Sequence, residues 1–131
     1  MKVALGIGCD RGTPFDTIAQ AVDAALGQAG VNASDVGAVA SIDLKADEPG
    51  LLQFAAARGW HMMFYQAAEL SAVPIPNPSE VVRKYTGTPS VSEAAALLAA
   101  RADMCSLLVE KYKLRGPDGR NATISIARIP Q

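Results

Sequence analysis

This chain of 131 residues has few cysteines, histidines and aromatic residues, the types that form disulfides and zinc sites or stack on nucleic-acid bases. It has two cysteines, Cys9 and Cys105, and one histidine, His61, too few for a disulfide framework or a zinc site. We therefore expect reduced thiols, with Cys105 in the core, and neither a metal nor a cofactor. Phe, Tyr and Trp make up only 5% of the chain, so the core must be filled mainly by small aliphatic side chains.

Charge of one sign is also scarce, since 12 basic and 13 acidic residues leave a formal net charge of -1. Such a balance gives no long-range attraction to nucleic acid or to an anionic membrane. No apolar run approaches the roughly 20 residues of a membrane-spanning helix. The apolar run at the N-terminus breaks at Gly6, too early for a signal peptide. These absences predict a cytoplasmic protein that binds neither nucleic acids nor membranes.

Short apolar runs alternate with amphipathic segments along most of the chain, which predicts strands and helices in turn. The predicted strands are Val3–Ile7, Val36–Ile42, Trp60–Tyr65, Ser106–Lys111 and Ala122–Ile129. The predicted helices run from Pro14 to Gly30, from Pro49 to Gly59, from Ser79 to Tyr85 and from Ser90 to about Ala102, with one turn at Ala67–Leu70. This alternation predicts an α/β fold, a single domain over residues 1–131 with three αβα layers. Its sheet is expected to be mainly parallel, with a C-terminal antiparallel hairpin.

One segment cannot be regular structure, because Val73–Pro78 has three prolines in six residues. We interpret it as a connector, or alternatively as a mobile lid. Trp60, Met62 and Phe64 alternate along the third predicted strand, and we expect them to pack in the core rather than to line a cofactor site.

Ligands of such sheets bind beyond the carboxyl ends of the strands, and three polar segments are predicted to meet there. The first segment consists of Gly8, Cys9, Asp10, Arg11, Gly12 and Thr13. Its glycines allow a ligand to approach the backbone, and the helix that follows offers free N–H groups to an anion. The thiolate of Cys9 would be stabilised there. The alternative is a plain tight turn with Thr13 as the helix cap. The spacing matches neither a dinucleotide fingerprint nor a P-loop.

The second segment, Ser41 to Gly50, directly follows a buried strand. Ser41, Asp43 and Lys45 would share one face if this loop is extended, which predicts a binding role for all three. Glu48 is a further candidate for the site. The alternative role for Asp47 or Glu48 is to cap the helix that begins at Pro49.

The third segment opens the Ala-rich helix with Ser90, Ser92 and Glu93, which are candidates for ligand binding. The alternative is a capping box, in which Glu93 bonds back to the backbone of Ser90.

Lys111 is expected at the end of the next parallel strand, where it would point to the same edge. Arg11, Lys45 and Lys111 would then form a local positive cluster that suits a polycarboxylate. A solvated surface position is the alternative for each lysine.

These motifs resemble those of a family of cobalamin-biosynthesis proteins, CobE and the C-terminal domain of CbiG. The resemblance rests on four stretches in the same order, Gly6–Gly12, Ser41–Glu48, Ser90–Ala96 and Thr123–Arg128, and it covers essentially the whole chain. It implies a part in corrin-ring assembly, on heavily carboxylated tetrapyrroles. Full-length CbiG proteins open a lactone of the ring and release acetaldehyde. Because the chain matches one domain, we expect it to resemble CobE more closely.

Three functions are compatible with this reading. The first is the binding or handing on of a polycarboxylate corrinoid or precorrin intermediate without bond chemistry. The second is a hydrolase or isomerase in which Asp43, Glu48 or Glu93 acts as general acid or base, and Lys45 or Arg11 stabilises an oxyanion. The third is a scaffold that docks on other enzymes of the pathway.

Overall fold

The computed structural model describes residues 1–75 and 91–130. Its strands are β1 (Val3–Cys9), β2 (Val36–Ile42), β3 (Met62–Tyr65), β4 (Leu107–Arg115) and β5 (Asn121–Arg128). Its helices are α1 (Phe15–Ala29), α2 (Pro49–Arg58), α3 (Ala67–Ser71) and α4 (Val91–Ala100). The predicted helix Ser79–Tyr85, the predicted cap Ser90 and part of the proline-rich connector lie outside the described residues. In the described ranges no helix has the length and apolar character that crossing a bilayer requires.

The five strands form one mixed sheet in the order β3-β2-β1-β5-β4. β1, β2 and β3 pair in parallel, whereas β5 runs antiparallel to both β1 and β4. The parallel strands and the C-terminal antiparallel hairpin are therefore confirmed. β1 is the central strand of the sheet. The hairpin of β4 and β5 forms one side of the sheet, with β5 directly beside β1. The carboxyl ends of β1, β2 and β3 meet at one edge, which we call the carboxyl edge.

Helices cover both faces of the sheet, which confirms the three-layer αβα architecture. Val3, Leu5 and Ile7 of β1 pack with α1 and α2 in one fully buried cluster. Ala4 of β1 packs with α4 on the opposite face. Trp60, Met62 and Phe64 pack against the first cluster, as expected from their spacing. α1 and α2 each end at a glycine in the left-handed conformation, Gly30 and Gly59.

Two predictions about the placement of residues in the fold are wrong. Cys105 is exposed, because it lies in a short turn before β4 and not in a packed element. Thr13 does not cap α1, because Pro14 occupies the N-cap position and makes no side-chain cap bond.

Glycine allows α4 to pack directly on β1. A Cβ atom built at Gly6 would lie 1.8 Å from the carbonyl oxygen of Ser92 and 2.6 Å from the amide nitrogen of Ala96. Only a residue without a side chain fits at such a distance. Gly8 lies on the same face of β1, where the nearest atoms to its Cβ position belong to Val91 at 3.9 Å.

We predict that Gly6→Ala lowers the free energy of unfolding by about 1–3 kcal/mol, the usual cost of overpacking a core, or by more. The reason is that backbone atoms of α4 would have to move away from β1. Gly8→Ala is the matched control and should cost much less. Urea unfolding of both variants measures the difference, and equal stabilities would contradict the close packing of α4 on β1.

Candidate functional site

A buried carboxylate joins the loop after β1 to the loop after β2. Glu48 Oε1 accepts a hydrogen bond from the amide of Gly12 at 2.8 Å, and Oε2 lies 3.2 Å from Arg11 Nη1. The side chain of Glu48 is only 2% exposed. It makes no capping bond to α2, so the capping role predicted as an alternative is wrong. Both oxygens of Glu48 instead hold the β1 loop (residues 10–14) against the β2 loop (residues 43–48).

Arg11 makes two further bonds to the β2 loop. Its Nη1 lies 2.8 Å from Asp47 Oδ1, and its Nη2 donates to the carbonyl oxygen of Leu44 at 2.7 Å. The bond and the opposite charge raise the pKa of Arg11 and lower the pKa of the Asp47 carboxyl. Arg11 therefore already binds groups of the protein itself, although its side chain is 60% exposed.

Glycine again allows the backbones of the two loops to touch. A Cβ atom at Gly50, in the first turn of α2, would lie 2.3 Å from the carbonyl oxygen of Thr13. Gly12 has a φ of 77°, which side-chain-bearing residues rarely adopt. The start of α2 consequently packs on the backbone that leads into α1.

The polar side chains of the β1 loop bond to the start of β5. Asp10 Oδ2 accepts from the amide nitrogen of Asn121 at 2.8 Å and from its side-chain Nδ2 at 3.0 Å. The hydroxyl of Thr13 is buried and donates to the carbonyl oxygen of Asp10 at 2.6 Å. Arg120 Nε donates to the carbonyl oxygen of Arg11 at 2.9 Å. Asn121 and Arg120 were not predicted from the sequence, because no local pattern shows that β5 lies beside β1.

Ser41, Asp43 and Lys45 do not lie on one extended loop, so the alternation that would place them on one face does not apply. β2 continues through Ile42, and residues 43–45 then form a 3-10 turn rather than an extended loop. Ser41 is fully buried within β2, and its hydroxyl donates to the carbonyl oxygen of Ile7 at 2.6 Å. Ser41 thus fixes β2 to β1, whereas Asp43 is exposed and Lys45 is half-buried.

Lys45 lies close enough to Cys9 for its charge to act on the thiol. Burial raises the pKa of Cys9 to about 11, although the charge of Lys45 acts in the opposite direction. The predicted stabilisation of the Cys9 thiolate is therefore wrong, because burial outweighs it. In the described part of the chain Lys45 makes no ion pair within 4.0 Å, in contrast to Arg11.

A second buried carboxylate lies on the α4 face of the sheet. Glu93 is fully buried, and its Oε1 is 3.5 Å from Lys111 Nζ, whose side chain is 30% exposed. Ser92 accepts a hydrogen bond from Ser125 of β5 at 2.9 Å. Lys111 is not at the end of its strand as predicted, because β4 continues to Arg115.

A β-bulge brings Lys111 to this position. Val109 pairs with Ile126 and Tyr112 pairs with Ile124, so β4 has one residue more than β5 between these two pairs. Such a bulge bends the strand and changes the direction of a side chain. It allows Lys111 to reach α4 across the sheet.

Two of the three cations of the predicted positive cluster are paired within the protein. Arg11 is paired with Asp47 and Glu48, and Lys111 is paired with Glu93. Lys45, by contrast, has no described carboxylate within 4.0 Å and is available to a ligand at the carboxyl edge. The ranges 1–75 and 91–130 contain no group of three His, Cys, Asp or Glu side chains that could hold a metal.

A cavity of about 480 Å³ lies at the opposite edge of the sheet, around the end of α4. It is lined by Glu69, Ala72, Val73, Pro74, Leu98, Ala102, Asp103, Met104 and Cys105. Among these described residues the charged ones are both acidic, so the cavity does not suit an anionic ligand.

We predict that Cys105 reacts with iodoacetamide near pH 8 and that Cys9 does not. At a pKa of about 11, roughly 0.1% of Cys9 is thiolate at that pH. Alkylation of the Cys9→Ser and Cys105→Ser variants, followed by mass spectrometry, separates the two thiols. Rapid alkylation of Cys9 in the folded Cys105→Ser variant would contradict its burial.

Comparison with known proteins finds a family whose description is "Cobalamin synthesis G C-terminus", which matches residues 3–127. The chain is 39% identical, over 98% of its length, to a cobalt-precorrin-5A hydrolase of Priestia megaterium, but it spans only 32% of that protein. It is 40% identical over 111 residues to the protein CobE of a Sinorhizobium species, covering 83% of this chain and 71% of CobE.

The solved structures that are similar to it include the following two. The crystal structure of CobE, a protein from the cobalamin (vitamin B12) biosynthetic pathway, has a TM-score of 0.81 and 37% identity, and covers 98% of this chain and 91% of that chain. The structure of the cobalamin biosynthesis protein chiG from Agrobacterium tumefaciens has a TM-score of 0.66 and 31% identity, and covers 98% and 99% of the two chains.

Proposed function

This chain belongs to the cobalamin synthesis G C-terminus family, and on that premise we propose that it binds a polycarboxylate corrinoid or precorrin intermediate at its carboxyl edge. Its relatives are named CobE and cobalt-precorrin-5A hydrolase, and we therefore assign the chain to cobalamin biosynthesis. The predicted cytoplasmic location stays a prediction.

The observation that carries the proposal is the position of Lys45. Lys45 as a residue is half-buried at the edge where α/β sheets bind ligands, and no described carboxylate lies within 4.0 Å of its ammonium group. Glu48 and Arg11 hold the loop on which Lys45 lies. A cation on a loop that is already fixed can bind a carboxylate without the entropy cost of ordering that loop.

The same turn also presents an apolar side chain. Leu44 precedes Lys45 and is 49% exposed. A corrin macrocycle is apolar in its middle and carries carboxylates at its rim. Leu44 and Lys45 together match those two properties.

The carboxylates favour binding over bond chemistry. Glu48 uses both oxygens in contacts with Gly12 and Arg11, and Glu93 is fully buried. A general acid or base must reach the proton that it transfers. Of the three predicted catalytic candidates, only Asp43 is exposed.

We expect purified protein to bind dicyanocobyrinic acid, a corrinoid polycarboxylate, and to bind dicyanocobinamide, its amidated counterpart, much more weakly. Lys45→Ala should weaken binding of the acid by about 1–3 kcal/mol, the contribution of a hydrogen bond to a charged group. Lys2→Ala removes the same charge at the opposite edge, where Lys2 bonds to the carbonyl oxygen of Ser34, and serves as the control.

Calorimetric titration measures these affinities. Equal affinities for the acid and the amide, or an effect of Lys2→Ala as large as that of Lys45→Ala, would contradict the proposal.

A second candidate is a hydrolase or isomerase that acts on a precorrin. The observation in its favour is the 39% identity to a cobalt-precorrin-5A hydrolase, of which this chain spans about a third. Asp43 would then be the general acid or base. Mass spectrometry of a precorrin incubated with the wild type and with Asp43→Asn tests for hydrolysis, and absorption spectra test for isomerisation. Docking on other pathway enzymes, the scaffold function, would be detected by co-elution with them.

A further inference from the structure

The guanidinium of Arg11 is shared between two carboxylates that differ in burial. Its Nη1 lies 2.8 Å from Asp47 and 3.2 Å from Glu48. The side chain of Asp47 is 80% exposed, whereas that of Glu48 is 2% exposed. Glu48 also accepts from the amide of Gly12, which fixes it in place.

The two carboxylates differ in how easily another carboxylate could replace them. Exposed ion pairs contribute little to stability, so Asp47 can leave Arg11 at low cost if a new carboxylate takes its place. Loss of Glu48 would remove the buried hydrogen bond to Gly12 as well as the ion pair. Glu48 therefore keeps Arg11 in position whether or not Asp47 is bound to it.

We infer that Asp47 is a placeholder, which occupies on Arg11 the position that a carboxylate of the ligand takes on binding. The inference rests on the proposed function, because it requires a polycarboxylate at the carboxyl edge. Arg11 would bind one carboxylate after Asp47 has left, and Lys45 would bind another without displacing any partner.

The exchange makes Asp47 a determinant of specificity. A ligand must supply a negative charge to compete with Asp47 for Arg11, and an amidated side chain of the corrin ring carries no charge. Asp47 thus disfavours amidated corrinoids relative to carboxylated ones. Among possible ligands, the exchange therefore selects corrinoid intermediates in which the ring side chain that meets Arg11 is still a carboxylate and has not been amidated.

The test is a gain of affinity. Asp47→Asn should bind dicyanocobyrinic acid roughly two- to fivefold more tightly than the wild type, because the competing charge is gone. Asp23→Asn is the matched control, since Asp23 is 59% exposed and pairs with Arg58 at 2.9 Å on the flank of α1. It removes the same charge and should leave the affinity unchanged. The double variant Arg11→Gln/Asp47→Asn should lose the gain.

The outcomes separate the inference from the proposed function. If the wild type does not bind dicyanocobyrinic acid, the proposed function is wrong. If the wild type binds and Asp47→Asn binds equally or more weakly while melting at the same temperature, the placeholder role is wrong and the proposed function stands. Asp47→Ser, measured in the same way, provides a second variant if Asp47→Asn melts lower.

Discussion

The carboxylate of Glu48 is the contact on which the carboxyl edge depends. A buried charge is tolerated when it is paired and hydrogen-bonded, and Arg11 and the amide of Gly12 supply both. Gly12 and Glu48 are 36 residues apart in the chain, so this contact brings two separate loops together. Lys45 and Asp47 lie on the loop that Glu48 holds, and their positions relative to Arg11 follow from it.

Among the described residues two carboxylates are buried, and each is paired with a basic side chain. On the α1 and α2 face, Glu48 and Arg11 join two loops. On the α4 face, Glu93 and Lys111 join a helix to the C-terminal hairpin, and the bulge in β4 is what allows them to meet. Gly6 brings α4 against β1, between these two pairs. The frame around the carboxyl edge is therefore fixed on both sides, and in the part of the chain that the structure describes the exposed side chains of the β1 and β2 loops can meet a ligand.

The sequence was a good guide to the strands and helices whose local signals are strong. The strand Val36–Ile42 has the predicted bounds, because its apolar run is followed directly by polar residues, and α1 ends at Gly30 as its left-handed conformation requires. The roles of polar side chains were harder to predict, because their partners are distant in sequence. Ser41 bonds to β1 and Glu48 to the β1 loop, and neither contact has a local signature. The direction of the Lys111 side chain depends on a β-bulge, and no glycine or turn residue in the sequence indicates that bulge.

The most direct test of this account is to locate the ligand on the protein. Titration of the ¹⁵N-labelled chain with dicyanocobyrinic acid, followed through its amide chemical shifts, reports contacts residue by residue. The account predicts the largest changes in residues 8–13 and 43–48. Largest changes around the cavity at the opposite edge, in residues 98–105, with the two loops unaffected, would contradict it.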